Sequence, residues 1–216
     1  MATTSLTNIF SKQEVFELLN HFKDLPVDHF YEKAQTKNKN LNYHIQDSIA
    51  WKIIKPKISK ILNDDTHNFL AGAYKEYTIP FQLHIDNIFP TAKMIFEHEK
   101  KHFKAFLIPL MDGPNLKTAI FDVHCQPGHP FTAGYSVEDQ YVALKEFCQD
   151  TPTELDMNEF DHIHEPLREL LPYVPVDGIV PWHIGDVIMW DIDQLHCSTN
   201  FKKHNIVKKF IVVMIN

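Results

Sequence analysis

The sequence predicts a mainly β domain with α-helices at its front, arranged as a sandwich or jelly-roll barrel carrying a helical layer. Three observations predict it. Two helical stretches come first, before about residue 70. Short runs rich in aromatic and β-branched residues follow in series from about Tyr74. A long stretch punctuated by prolines, residues 126–181, interrupts the series before strand character returns near the C-terminus.

Residues Ser11–Phe22 read as the first helix. Ser11 and Glu14 have capping-box spacing, and Val15, Leu18, Leu19 and Phe22 then share one face. Residues Ile45–Leu62 give a second helix, which Pro56 is expected to end or kink. Tyr74–Asp86, Phe103–Leu110 and Lys117–His124 read as strands, with Gly113-Pro114 as the break between the last two. Within the irregular stretch, helices are expected near Val137–Phe147 and Glu165–Leu171. Strands return at Asp186–Trp190 and Phe210–Ile215. The expected organisation is one domain over residues 1–216, with residues 1–70 as a helical support layer. Residues 126–181 are too long for a turn and are expected to form a functional insertion or lid.

The whole chain bounds these expectations. Its 216 residues fit one domain with a sizeable core, and 44% hydrophobic with 23% charged residues is ordinary for a globular protein. A net charge of −7 disfavours nucleic acid and anionic membrane surfaces, both of which need a basic face. No apolar run is long enough to span a bilayer, and Met1–Phe10 lacks the pattern of a signal peptide. The cysteines Cys125, Cys148 and Cys197 are odd in number and follow no spacing motif, as expected of reduced thiols in a cytoplasmic protein.

The chemistry centres on His84-Ile85-Asp86, at the end of the run Phe81-Gln82-Leu83. Residues two apart on a strand point to one face, so His84 and Asp86 aim side by side while Ile85 enters the opposite layer. Two histidines and one carboxylate on one face of a metal leave three open positions, the arrangement of non-haem iron(II) oxygenases. The third ligand must come from a distant strand. The run from Gly185-Asp186 through Trp190 to His196 supplies it, followed by Ser198, Asn200 and a lysine-rich loop before the last strand. Alone, His84 reads as a solvated strand-end histidine, His196 as a core histidine and Lys208 and Lys209 as edge-strand charges. Their joint order carries the metal reading.

In these motifs the chain resembles the 2-oxoglutarate oxygenase superfamily and is most similar to its phytanoyl-CoA-hydroxylase-like branch, in outline over residues 74–216. The resemblance implies a double-stranded β-helix, a cupin-like jelly-roll barrel with flanking N-terminal helices. It implies iron(II) held by His84, Asp86 and His196, with 2-oxoglutarate and O2 as cosubstrates, and hydroxylation of a substrate with release of succinate and CO2. In the family a basic residue opening the last strand binds the far carboxylate of 2-oxoglutarate, with Asn200 and Ser198 in its neighbourhood. That residue is usually arginine. Here Lys208 stands in its place, followed by Lys209, and Arg168 is the only arginine in the chain. Lysine offers a point charge rather than a two-pronged contact. Strand alternation lets only one of the two lysines serve. Lys208 is preferred, with Arg168 as a fallback from the insertion. Gln82, Trp190 and Asp191 are candidates to line the substrate cavity, and Trp182 and His183 are ambiguous. The expected substrate is a small or carrier-bound molecule. Its identity and the oligomeric state are not legible in the sequence.

Two other readings compete. His98-Glu99-Lys100-Lys101-His102 matches the His-Glu-x-x-His pattern of zinc peptidases, although its flanks are highly charged. A non-catalytic jelly-roll binding or sensor module would also tolerate lysine in place of arginine. A cupin-like site at His124 and His129, flanking Pro127-Gly128, is a lesser alternative.

Overall fold

The architecture is known from a computed structural model. It describes residues 4–23, 29–31, 36–40, 49–67, 69–86, 103–113, 115–126, 128–132 and 135–215. The first helix, α1 (Lys12–Lys23), starts from the expected capping box: the Ser11 hydroxyl accepts from the Glu14 backbone N–H at 3.2 Å, and Glu14 accepts from the Ser11 N–H at 2.7 Å. Its apolar face is Val15, Leu18 and Phe22. The second helix, α2 (Ile49–Leu62), runs through Pro56 rather than ending there. Proline removes one i→i−4 hydrogen bond, whose acceptor would be the Lys52 carbonyl. Both Pro56 and Lys52 are on the solvent side, while Ala50, Ile54 and Ile58 anchor the opposite face on both sides of the break.

Among the described residues, ten strands form two antiparallel sheets. They are β1 (Thr4–Leu6), β2 (His29–Tyr31), β3 (Thr36–Asn40), β4 (Phe69–Tyr77), β5 (Lys104–Pro109), β6 (Lys117–His124), β7 (Val176–Pro181), β8 (Val187–Asp191), β9 (Gln194–Ser198) and β10 (Lys208–Ile215). The larger sheet has the order β1-β8-β5-β10-β4-β3-β2 and the smaller β7-β6-β9. Residues at and around His84 extend the smaller sheet, because His84 forms an isolated antiparallel bridge with His196. The expected strands Phe103–Leu110, Lys117–His124, Asp186–Trp190 and Phe210–Ile215 are present as β5, β6, β8 and β10; of the expected strand Tyr74–Asp86 only the part to Tyr77 is strand, in β4, and residues 78–86 leave the sheet apart from one bridge at His84. β1, β2, β3, β7 and β9 had no separate sequence signal. Thus residues 1–70 contribute strands as well as helices, and residues 126–181 end in a strand paired with β6. The helices of that stretch are α3 (Val137–Lys145), with Ser136 as its cap, and α4 (Glu165–Leu170).

Period-two alternation sorts the side chains into three packed layers. On β5, Phe106 and Ile108 face α1 and α2, while Ala105 and Leu107 face the smaller sheet. On β10, Ile211 and Val213 share the helical layer, and Phe210 and Val212 the space between the sheets. The outer face of the smaller sheet, with Phe121, Val123 and Leu195, packs under Leu144, Phe160, Leu167 and Leu171 of the 126–181 stretch. That stretch is therefore packed over an apolar core. Among the described residues no helix is long and apolar enough to cross a membrane. The His98-Glu99-x-x-His102 motif lies outside the described residues.

Candidate metal centre

His84, Asp86 and His196 each offer a ligand atom, and these atoms all lie within 4.8 Å of one another. The local fold explains the convergence. Leu83 and Ile85 are buried under the smaller sheet, so alternation turns His84 toward the space between the sheets. The His84–His196 bridge, with N–H···O distances of 3.0 and 2.9 Å, sets the two histidines directly opposite each other, and their ring centroids are 4.2 Å apart. Asp86 is held by its own backbone N–H, which donates to the Ile192 carbonyl at 3.1 Å. Its Oδ2 accepts from the Trp190 indole at 3.1 Å and lies 3.9 Å from His196 Nε2.

The protonation pattern suits a metal. His84 Nδ1 sits 2.8 Å from the Gln82 carbonyl and His196 Nδ1 2.9 Å from the Gln194 carbonyl. An imidazole in that position donates from Nδ1 and keeps the Nε2 lone pair for a ligand bond. Burial disfavours the imidazolium, and the neighbouring His196 adds to this at His84. The His84 pKa is pushed down to about 3 and that of His196 to about 4. Both rings are neutral at pH 7, as ligands must be. Burial raises the Asp86 pKa, while His84, Lys75 and the Trp190 hydrogen bond work the other way. Two neutral imidazoles and a carboxylate, oriented by backbone and indole partners, fit a divalent first-row metal of the iron(II) type.

The three residues open onto a cavity between the sheets, whose wall also includes Lys75, Phe81, Phe210 and Val212. Lys208 lines it. The side chain is 2% exposed, and its Nζ lies 3.9 Å from the centroid of the Trp182 ring, with Phe201 and Phe210 each at 5.5 Å. Burial pushes its pKa down to about 7, and among the described residues no carboxylate pairs with it. Ser198 and Trp190 also line the cavity; the Ser198 hydroxyl accepts from the Phe81 N–H at 2.7 Å and keeps its own proton to donate.

Other sequence candidates lie elsewhere. Lys209 is on the opposite face of β10, as alternation requires. Asn200 caps the turn at Phe201–His204 by accepting from the Lys202 N–H, and it donates to Asp161 at 2.5 Å. Asp191 is buried in an ion pair with Lys104. Gln82 bonds the His162 carbonyl and the His164 N–H, tying the 126–181 stretch to the edge of the site. Arg168 is paired with Glu165 on the surface. Trp182 forms the wall beneath Lys208 and donates its indole N–H to Thr118, whereas His183 is exposed. His124 pairs with Asp193, and His129 stacks on Phe131; among the described residues neither joins a metal cluster.

Sequence reasoning missed Lys75. It lines the same cavity from β4, one strand away from Lys208, and burial lowers its pKa while Asp86 opposes that shift. The available signal was a lysine inside the apolar run Phe69–Tyr77, two residues before Tyr77 on the same strand face.

No protein-family model and no curated protein matches the sequence. Solved structures do match its fold. SnoN, a non-haem α-ketoglutarate-dependent epimerase from nogalamycin biosynthesis, aligns with a TM-score of 0.60 at 11% identity, over 100% of this chain and 77% of its own. HygX from Streptomyces hygroscopicus, solved with iron bound, gives 0.55 at 11% identity over 100% and 82%. SnoK, a non-haem α-ketoglutarate-dependent carbocyclase from the same biosynthesis as SnoN, gives 0.52 at 13% identity over 99% and 79%. Across the full length of the chain, the fold that carries His84, Asp86 and His196 is thus the fold of these enzymes.

Proposed function

We propose that this chain is a non-haem iron(II)- and 2-oxoglutarate-dependent oxygenase with a double-stranded β-helix core, allied to the phytanoyl-CoA-hydroxylase-like branch. The observation that carries the reading is one cavity holding a pre-oriented His-Asp-His cluster and a buried lysine with no carboxylate partner among the described residues. His84, Asp86 and His196 hold the iron. Held by these residues, the metal would supply the chemistry that couples oxidative decarboxylation of 2-oxoglutarate by O2, with release of succinate and CO2, to oxidation of a substrate C–H bond.

The chain's own residues supply orientation and dryness. Asp86 contributes the anionic ligand, fixed by the Trp190 indole. Lys208 neutralises the far carboxylate of 2-oxoglutarate. Stacked on Trp182 and walled by Phe201 and Phe210, its ammonium keeps a weakly wet environment in which one charge pair is strong. Ser198 donates a hydrogen bond to the same carboxylate. Hydroxylation of a small molecule is the expected outcome. SnoN and SnoK share the fold and are an epimerase and a carbocyclase, so the fold alone does not select the product.

The test is anaerobic loading with iron(II) and 2-oxoglutarate, followed by admission of oxygen. A visible charge-transfer band and succinate formation are expected, and Asp86→Ala should lose both. Unchanged succinate formation in Asp86→Ala would sink the assignment, and absence of band and succinate from the native chain would favour a binding module.

A further inference from the structure

We propose that the substrate of this site carries an anionic group, a carboxylate in the simplest case, and that Lys75 is the residue that receives it. The inference rests on the iron and 2-oxoglutarate reading and adds a substrate class to it.

Two lysines line one cavity from adjacent antiparallel strands. In the register of β4 and β10, Tyr77 lies opposite Lys208 and Phe210 opposite Lys75, so the two lysines are offset by one two-residue step along the same inward face. Their surroundings differ. Lys208 is enclosed by Trp182, Phe201 and Phe210. Lys75 lies on the Asp86 side: its charge is felt by Asp86, His84 and His196, yet it forms no ion pair with Asp86, and its Nζ stands 5.9 Å from the centroid of the Tyr77 ring. Among the described residues no acceptor holds its ammonium. A part-buried ammonium with no partner is unfavourable unless a ligand compensates it.

Charge matching assigns the ligand. Two ammonium groups and a divalent iron stand against the Asp86 carboxylate and the two carboxylates of 2-oxoglutarate. One positive charge is left over, and one cation is left without a partner. With Lys208 on the far carboxylate, the leftover is Lys75, which shares the cavity with Asp86. A substrate anion there completes the charge pairing, and the same contact fixes the distance between that anion and the C–H bond to be oxidised.

The experiment uses the full chain loaded with redox-inert zinc(II), with lysine side-chain resonances followed by NMR and the two signals assigned from Lys75→Met and Lys208→Met. Adding 2-oxoglutarate should shift the Lys208 signal and leave the Lys75 ammonium unpaired. Acetate added next should shift Lys75 saturably, and acetamide, its neutral isostere, should not. Lys75→Met should abolish the saturable acetate binding while changing 2-oxoglutarate affinity less than about threefold, and Lys75→Arg, which keeps the charge, should restore acetate binding. If 2-oxoglutarate itself engages Lys75, or Lys75→Met weakens 2-oxoglutarate as much as Lys208→Met does, the substrate role is overturned while the cosubstrate reading stands. The same holds if acetate and acetamide behave alike. If 2-oxoglutarate shifts neither lysine, the proposed function itself fails.

Discussion

Lys208 shows most directly how function and stability pull apart at a single residue. A lysine buried among three aromatic rings, with no carboxylate against it, is a poor choice for folding. Its pKa near 7 in the folded chain lies below the ordinary value of about 10.4 in the unfolded one. The unfolded state therefore binds more protons across this interval, and the wild-type chain gains stability as pH rises from about 7 to 10. Lys208→Met fills the same space without the penalty. In metal-free protein it should be more stable than wild type by about 2–4 kcal/mol at pH 7, less what the ammonium gains from its aromatic neighbours. That advantage should fade toward pH 10, as urea unfolding at the two pH values would show. The same variant should bind 2-oxoglutarate at least about a hundredfold more weakly. A stabilised variant with undiminished 2-oxoglutarate affinity would remove Lys208 from the site.

At the scale of elements, the site depends on where strands begin and on what they pair with. The Gly185-Asp186 turn sets the start of β8 and the place of the N-terminal segment against it. Gly185 has φ of +88°, and an added Cβ would lie 2.2 Å from the Phe10 carbonyl oxygen, a backbone atom that itself is fixed because the Phe10 N–H donates to Gly185. Asp186 is buried and accepts from the Asn8 N–H at 2.9 Å. Gly185→Ala should therefore cost about 2 kcal/mol or more, since strain and overpacking add. Chemical denaturation would measure it, and a loss below about 0.5 kcal/mol would contradict the close approach. The sequence identified this turn because Gly-Asp before an apolar run is a local signal. It gave no hint of β9 as a separate strand, since Gln194–Ser198 alternates polar and apolar residues over too few positions to stand out. Lys75 was missed for a related reason: a charge inside an apolar strand becomes informative only once the inward face is known.

For the molecule as a whole, the candidate site lies in a cavity that brings residues 75, 84 and 86 together with residues 196 and 208, more than a hundred positions further along the chain. Binding there favours the folded state alone. At a hundred times its dissociation constant a ligand adds about 2.7 kcal/mol. For a chain of this length that corresponds to a rise in melting temperature of roughly 5–10 °C. Zinc(II) with 2-oxoglutarate should produce such a rise in differential scanning calorimetry, and Asp86→Ala should not show it. An equal rise in Asp86→Ala would place binding elsewhere.

Legible in the sequence were the residue types of the candidate cluster, the two-residue spacing of His84 and Asp86, the two N-terminal helices and the basic start of β10. These are local features, written in spacing and alternation, which short-range geometry translates directly. Only the tertiary structure decided that His196 bridges His84, that Lys208 rather than Lys209 faces inward, that Arg168 and Asn200 serve the surface, and that Lys75 shares the cavity. Those outcomes depend on strand register and on which sheet face is covered by which layer. A shift of one residue in register reverses every side chain, and nothing within a single segment fixes that choice.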